Sequence, residues 1–597
     1  VLELLRYING LINMVAESGN RMFRIPVFMM VILAGLGFAA LNLRTGFKGD
    51  VLGLGLLRTT GSSALDSFDN PRQVQEVSPE KKSASTPLSE AEGNQENKPK
   101  AEERKIDPPE KTSEKTPNPP ETTPPTQEPQ NDQVKKEDFK PMNIILLYGD
   151  DWRHDSIGSA KASIVQTPFF DWLADQGMKF VRNCVTTSVC WISRANLYTG
   201  QYVCRHNSTY PHKPDWYVFW DKAWPKMLKD AGYYLGHVGK WHFEWNSMVS
   251  GTWDFGRPYY GQHWYNDRGG RIHTTKKNEK DALEFLKERP RKKPFMLSVC
   301  FFAPHSVDGT DDQYFPQNES MSLYVNDTVD VPISATEEEW NKLPSFFGDI
   351  NEGRRRWRIR FDTPEKHQRM MKNYYRLVTE IDATSKAIYE ELERQGEADN
   401  TMIIFTTDNG LFHSEHQLAG KWFPHEESIR VPLIIKDPRM PKTKVGTVND
   451  EFTLNIDLAS TILGAAKLPQ SDLMQGRDIS DLYLTEDPQW RQEFFYEHPV
   501  HLESRIIPAS TALVRKGMKF MNWPDYKVDQ LFNLTEDPLE MNDLVKREEM
   551  ESVLGEMKIR HNELKLAALE PGPIDESGER MRGVFQEDAN TDKKPSR

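Results

Sequence analysis

The chain has 597 residues, 37% hydrophobic and 28% charged, with 76 Lys and Arg against 89 Asp and Glu for a net charge of −13. That length allows two or three domains, the modest apolar content leaves part of the chain outside any core, and the acidic excess argues against a nucleic-acid partner. Four cysteines (Cys184, Cys190, Cys204, Cys300) are too few for a disulfide scaffold and lack the paired spacing of a structural zinc site.

Residues 1–24 read as an N-terminal tail. Ile25 to Leu43 follow, nineteen residues without a charge, about the length of a membrane-spanning helix. One such span ahead of a large domain predicts a single-pass type II anchor with the remainder lumenal or extracellular. A cleaved signal peptide, giving a secreted protein, and a buried core helix are the rival readings. Residues 44–140 turn to Pro, Glu, Lys, Ser and Thr, as in "PNPPETTPPTQEPQNDQ". Such a stretch buries too little apolar surface to offset its ordering entropy and is predicted to be a disordered stalk, as is the tail 569–597. Asn207, Asn318, Asn326 and Asn533 head glycosylation sequons, which would make the chain a glycoprotein in a eukaryotic secretory pathway.

Order is predicted from "MNIILLYGDD", a buried strand ending in Asp150 and Asp151. "TPFFDWLADQGMKF" reads as a helix with Thr167 as N-cap, Pro168 in its first position and a stop at Gly177. "PFMLSVCFFAPH" and "TMIIFTTDNG" are further strands, and Tyr374, Val378, Ile381, Ile388 and Leu392 mark one face of an amphipathic helix before the second of them. Strands alternating with helices predict an α/β domain over 141–487, with a central, mostly parallel sheet and polar groups at its C-terminal strand ends. "EFFYEH", "TALVRKG", "MKFMNW" and "DQLFNL" predict a small antiparallel subdomain over 488–568.

Asp150, Asp151, Asp408 and Asn409 all follow apolar runs. Clustered carboxylates repel unless a cation lies between them, and oxygen donors favour Ca²⁺ or Mg²⁺ over zinc; a helix N-cap or a solvated turn is the alternative for either pair. Cys190, in "CWISRANLYTGQY", stands at the start of a helical pattern with Arg194 one turn on. The residues leave three readings open: an anion site, a reactive thiolate, or a buried inert thiol.

The blocks "NIILLYGDD", "TPFFDWLADQGMKF", "CWISRANLYTGQY", "GKWH", "FAPH", "FTTDNG", "GKWFPHEESIRVPLII" and "QLFNLTEDPLEMNDL" occur in the order seen in type I sulfatases of the alkaline phosphatase superfamily, and the chain resembles that family from Met142 to Leu544. The resemblance implies a sulfate ester hydrolase acting on a sulfated carbohydrate. It implies that a formylglycine-generating maturation enzyme oxidises Cys190 to Cα-formylglycine, whose hydrate is the nucleophile. Asp150, Asp151, Asp408, Asn409 and the modified residue 190 would bind calcium, with magnesium less favoured. Arg194 would stabilise the formylglycine hydroxyl, and Lys240, His242, His305 and Lys421 would bind sulfate and move protons, with His305 favoured over Lys421 as the leaving-group acid.

The chain departs from the usual Cys-X-Pro/Ala-X-Arg maturation pattern at Ile192. Two-metal phosphatases of the superfamily carry an Asp-His pair where Asp408-Asn409 stands, which favours a one-metal sulfatase over the alternative of a phosphodiesterase or phosphonate hydrolase. A second alternative is an inactive, membrane-tethered glycan-binding protein. Two segments bear on substrate: the aromatic stretch from Lys240 to Tyr265, and "GRRRWRIR", Gly353 to Arg360, read either as sugar and polyanion subsites or as loop packing and a solvated basic face.

Overall fold

The computed structural model describes residues 141–160, 164–209, 215–267, 269–499 and 503–572. The predicted anchor 25–43, the stalk 44–140 and most of the tail 569–597 lie outside them. No helix among the described residues is long and apolar enough to cross a membrane.

Eight strands form the large sheet: β1 (Asn143–Gly149), β2 (Met178–Cys184), β3 (Tyr234–Gly239), β4 (Phe255–Pro258), β5 (Phe295–Cys300), β6 (Thr401–Thr407), β7 (Leu433–Lys436) and β8 (Thr447–Leu454). Their order is β8-β2-β7-β6-β1-β5-β3-β4, and only β7 is antiparallel to its neighbours. All seven residues of β1 and of β6 and all six of β5 are buried, as parallel strands covered on both faces require. Their unbroken aliphatic runs are the sequence form of that burial.

Helices α1 (Pro168–Asp175), α2 (Cys190–Thr199), α3 (Thr274–Glu288), α4 (Glu352–Arg360), α5 (Pro364–Arg394) and α6 (Asp457–Ala465) surround the sheet. The five apolar positions named for α5 are all buried. Helix α1 starts at Pro168, but the Thr167 side chain does not cap it. The Asp382 carboxylate of α5 accepts from Phe169 N and Phe170 N instead, at 3.1 and 2.8 Å, placing negative charge at the positive end of the helix. Phe170 then stacks on Phe405 of β6, centroids 3.8 Å apart, with its edge contact to Trp152 at 5.7 Å.

The C-terminal strands β9 (Glu493–His498), β10 (Ser510–Arg515), β11 (Met518–Trp523) and β12 (Val528–Asn533) form an antiparallel sheet in sequence order. A 17-residue helix, α7 (Glu551–Ala567), packs on it through Met557, His561 and Leu564. The reading of short strands missed that helix. Its buried positions are only three, and one of them is a histidine, so they leave little apolar periodicity.

Phe170→Ala removes a fully buried ring from between β6 and Trp152, and unfolding by denaturant is expected to show a loss of about 3–5 kcal/mol.

Candidate active site

The chain leaves the large sheet at the C-terminal ends of four adjacent strands, and each exit delivers candidate residues. After β1 come Asp150 and Asp151; after β6, Asp408 and Asn409; after β3, Lys240 and His242; and beyond β5, His305. Trp152 N donates to Asn409 O at 3.0 Å and Asp151 N to Asp408 Oδ1 at 3.2 Å, tying the first two exits together. Gly239 makes the third turn: its φ is +94°, and a Cβ there would lie 2.0 Å from Cys300 O. Only glycine allows Lys240 N to reach that carbonyl, at 2.7 Å.

Helix α2 supplies Cys190 as its first residue and Arg194 one turn on, and all ten of its residues are buried. Gly200 ends it in the left-handed conformation, φ +66°, with its N–H on Asn196 O. Lys421 arrives on a small hairpin, Ala419–Gly420 paired with Phe412–His413, and Trp422 N donates to Ser188 O at 3.1 Å beside α2.

These residues share one buried cluster. Arg194 Nη2 lies 2.7 Å from Asp408 Oδ2 and 3.7 Å from Asp150 Oδ2, and Nη1 donates to Lys240 O at 3.1 Å. Lys240 Nζ pairs with Asp150 Oδ2. Lys421 Nζ is 2.6 Å from Asp151 Oδ1 and 3.8 Å from Cys190 Sγ. Asn409 Nδ2 also donates to Asp151 Oδ1, at 2.6 Å, and His305 Nε2 is 3.6 Å from Asp151 Oδ2. Nine of the ten predicted residues are therefore joined by direct contacts. His242 stands beside them, half-buried, its ring stacked on Trp191 and on Tyr260 at 5.8 and 5.4 Å.

Asp151, His242 and Trp422 hold φ of 59°, 79° and 85°. Positive φ at non-glycine residues costs energy and collects where geometry serves function. Tyr374 of α5 steadies the first of them, donating from its hydroxyl to Asp151 O at 2.9 Å.

The electrostatics follow from burial. Burial and then the Asp408 carboxylate push Asp150 up to about 8, against the pull of Lys240 and Arg194. Burial opposes the charge on Lys240, but Asp150 outweighs it and the ammonium is stabilised. Burial, followed by the nearby lysines, holds His242 and His305 well below the ordinary imidazole range, so both rings are neutral. Burial lifts the Cys190 thiol to about 11 despite the pull of Lys240 and Lys421.

A cation fits this donor set. Asp150 Oδ1, Asp151 Oδ2 and Asn409 Oδ1 are buried without hydrogen-bond partners among the described residues. Carboxylate oxygens of Asp150, Asp151 and Asp408 lie within 4.8 Å of one another, as do donor atoms of Asp150, Cys190 and His305. Unpartnered buried oxygens are costly, and an all-oxygen cluster suits a hard divalent ion.

Sequence reasoning did not foresee what "GRRRWRIR" does. Arg356 and Arg360 are buried and pair with Glu352 and Asp308, while Arg354 stacks on Trp340 and Trp357, 4.3 Å from each ring. The run is thus a helix largely neutralised from within. The acids that answer it, at 308 and 352, were the available signal.

A mostly parallel sheet that gathers acids, cations and a buried thiol at its C-terminal strand ends has the layout of an α/β enzyme active site. Comparison narrows this: the Sulfatase family model matches residues 142–468, more than half the chain, and the N-sulphoglucosamine sulphohydrolase C-terminal model matches 414–567. The chain belongs to the sulfatase family and is a sulfuric ester hydrolase. An N-acetylglucosamine-6-O-sulfatase of Bacteroides thetaiotaomicron is 24% identical over 69% of this chain and 84% of its own length. A Drosophila melanogaster extracellular sulfatase SULF-1 homolog is 29% identical over 64% of this chain and 35% of its own. A structure solved with its substrate D-glucosamine-2-N,6-O-disulfate shares the fold at TM-score 0.60 and 21% identity, over 72% of this chain and 98% of that one. The phosphonate monoester hydrolase of Agrobacterium radiobacter does so at TM-score 0.57 and 18% identity, over 72% and 96%.

If Cys190 is left as a thiol, its alkylation by iodoacetamide, followed by mass spectrometry, is expected to be slow at pH 7 and to accelerate as pH climbs toward about 11. A rate already at its plateau at pH 7 would contradict the raised value.

Proposed function

We propose that the protein hydrolyses a sulfate ester on a sulfated carbohydrate, using residue 190 as nucleophile after Cys190 has been oxidised to formylglycine. The supporting observation is the convergence of that helix-start thiol with three carboxylates and three cationic side chains in one buried cluster. The sulfated-sugar names of the relatives support the substrate class.

In this reading Asp150, Asp151, Asp408, Asn409 and the modified residue 190 would hold Ca²⁺, which would supply Lewis-acid stabilisation of the sulfuryl group. The formylglycine hydrate would supply an oxygen nucleophile where the thiol now lies. Arg194, fixed between Asp150 and Asp408, orients the residue 190 side chain one turn before it. Lys240 and Lys421 face the sulfuryl oxygens and stabilise charge that grows in the transition state. His242 binds sulfate from the rim. His305 protonates the departing alcohol: the ring is neutral in the free site, and the approach of an anion favours its protonated form. Residues 141–487 form the catalytic domain and 488–568 a C-terminal subdomain, with 25–43 as membrane anchor, a placement that rests on composition.

A formylglycine aldehyde at residue 190 is expected in the peptide mass spectrum of natively produced protein. An unmodified thiol throughout would overturn this route and point to Ile192 as the block. Cys190→Ala should lower kcat/KM for an aryl sulfate by about 10⁴-fold or more. The fold likeness to a phosphonate monoester hydrolase favours one other reading, which would be upheld by faster turnover of a phosphonate monoester than of the aryl sulfate. His305→Ala is expected to slow alkyl sulfates by about 10²–10⁴-fold and 4-nitrophenyl sulfate, whose leaving group needs little protonation, far less. Equal losses would shift the acid role to Lys421.

A further inference from the structure

The loop after His305 is held by a clamp that the chemistry above does not use. Asp308 stands three residues on, near enough for its charge to act on the His305 ring. Helix α4 brings two arginines to it: Arg360 Nη2 is 3.2 Å from Oδ1 and Arg356 Nη2 is 3.0 Å from Oδ2. Ser306 Oγ donates to Oδ1 at 3.1 Å and accepts from Arg360 Nη2 at 2.7 Å, while Arg360 Nε donates to Gln313 Oε1 at 2.6 Å. The same helix reaches the other arm of the site, because the Arg356 guanidinium lies 5.1 Å from the ring of Trp422, next to Lys421.

The arginine side chains are 0% and 2% exposed, yet the Asp308 side chain keeps 16% of its surface in solvent. Buried ion pairs are an inefficient way to stabilise a fold, since desolvation offsets the attraction. Two buried guanidiniums on one carboxylate that still meets water suit orientation better than packing. Each carboxylate oxygen offers about two lone-pair directions. Oδ1 spends its own on Ser306 and Arg360, and Oδ2 has Arg356 alone, so Oδ2 keeps one acceptor position.

We infer that Asp308 determines specificity: Oδ2 accepts a hydrogen bond from a free hydroxyl of the sulfated sugar, close to the ester, with Arg356 and Arg360 as positioning residues. The inference rests on the sulfated-carbohydrate reading above. A fixed carboxylate takes a hydroxyl donor and repels an anion, so a second sulfate on that hydroxyl is disfavoured.

The test is steady-state kinetics of the full chain, its Asp308→Ala and its Asp308→Asn on 4-nitrophenyl sulfate and on the monosulfated hexose or hexosamine that the unaltered protein turns over fastest. The ratio of kcat/KM on the sugar to that on the aryl sulfate is expected to fall about 10- to 100-fold in Asp308→Ala, the range for a hydrogen bond to a charged group. Asp308→Asn, close in shape, is read the same way where the alanine variant fails to fold, and should also narrow the discrimination against the disulfated sugar. An unchanged ratio, whether both activities fall together or neither does, overturns the inference and leaves the function intact. Turnover of the aryl sulfate but of no sulfated sugar also overturns it, and no sulfate ester turnover at all overturns the functional reading itself.

Discussion

Everything at the strand ends depends on balancing charge where water is excluded. Asp150, Asp151 and Asp408 are at most 1% exposed, and so are Arg194, Lys240 and Lys421. Three carboxylates against three cations leave the cluster formally neutral, and isolated charges at such depth would each be expensive. Neutrality is still incomplete in detail, because Asp150 is pushed up toward 8 by its own burial and by Asp408. A divalent cation between the carboxylates would relieve that repulsion and turn the balance positive, the sign needed to draw in and hold a sulfate ester.

Such a cluster requires rigid walls, and both sheets build them. The large sheet fixes four exits side by side, and the C-terminal sheet braces the Lys421 arm. Tyr496 of β9 donates from its hydroxyl to Trp422 O at 2.7 Å, and Ser188 N donates back to that hydroxyl at 3.3 Å. Lys519 of β11, fully buried, lies 2.8 Å from Glu426 and 2.7 Å from Glu540, and Glu426 N donates to Glu540 at 2.8 Å. Burial works against the Glu426 charge, but Lys519 and Arg430 overcome it and hold the carboxyl at about 2. The antiparallel sheet therefore anchors the segment that carries Lys421, and the site is finished by residues 75 to 119 positions further along the chain.

What was legible in the sequence was what local pattern encodes. Buried parallel strands announce themselves as apolar runs, so β1, β5 and β6 were readable, and with them the acids that follow β1 and β6. So was α2, whose glycine stop and leading cysteine lie within a dozen residues. Long-range substitution of one partner for another was not. Thr167 looked like a cap, yet Asp382, more than two hundred residues away, takes the helix N–H groups. The arginines of α4 read as a polyanion subsite or a solvated basic face because their acids, Asp308 and Glu352, are assigned to them only by the folded chain. Helix α7 escaped because its contact with the sheet is narrow.

The same charge count bears on how many metal ions the cluster could hold. Asn409 gives the cluster an amide where a two-metal phosphatase of the superfamily has a histidine after its aspartate. That amide spends its N–H groups on Asp151 Oδ1 and Gly410 O, leaving a neutral oxygen as donor. With three carboxylates already answered by three side-chain cations, a second divalent ion would lack ligands and counter-charge. Lys421 on Asp151 and Lys240 on Asp150 supply positive charge in its place. A sulfate monoester carries one negative charge and a phosphate monoester up to two, so a single ion flanked by ammonium groups would match the smaller demand of sulfate. Lysine can also release its carboxylate and turn toward substrate as a metal ion held by several ligands cannot.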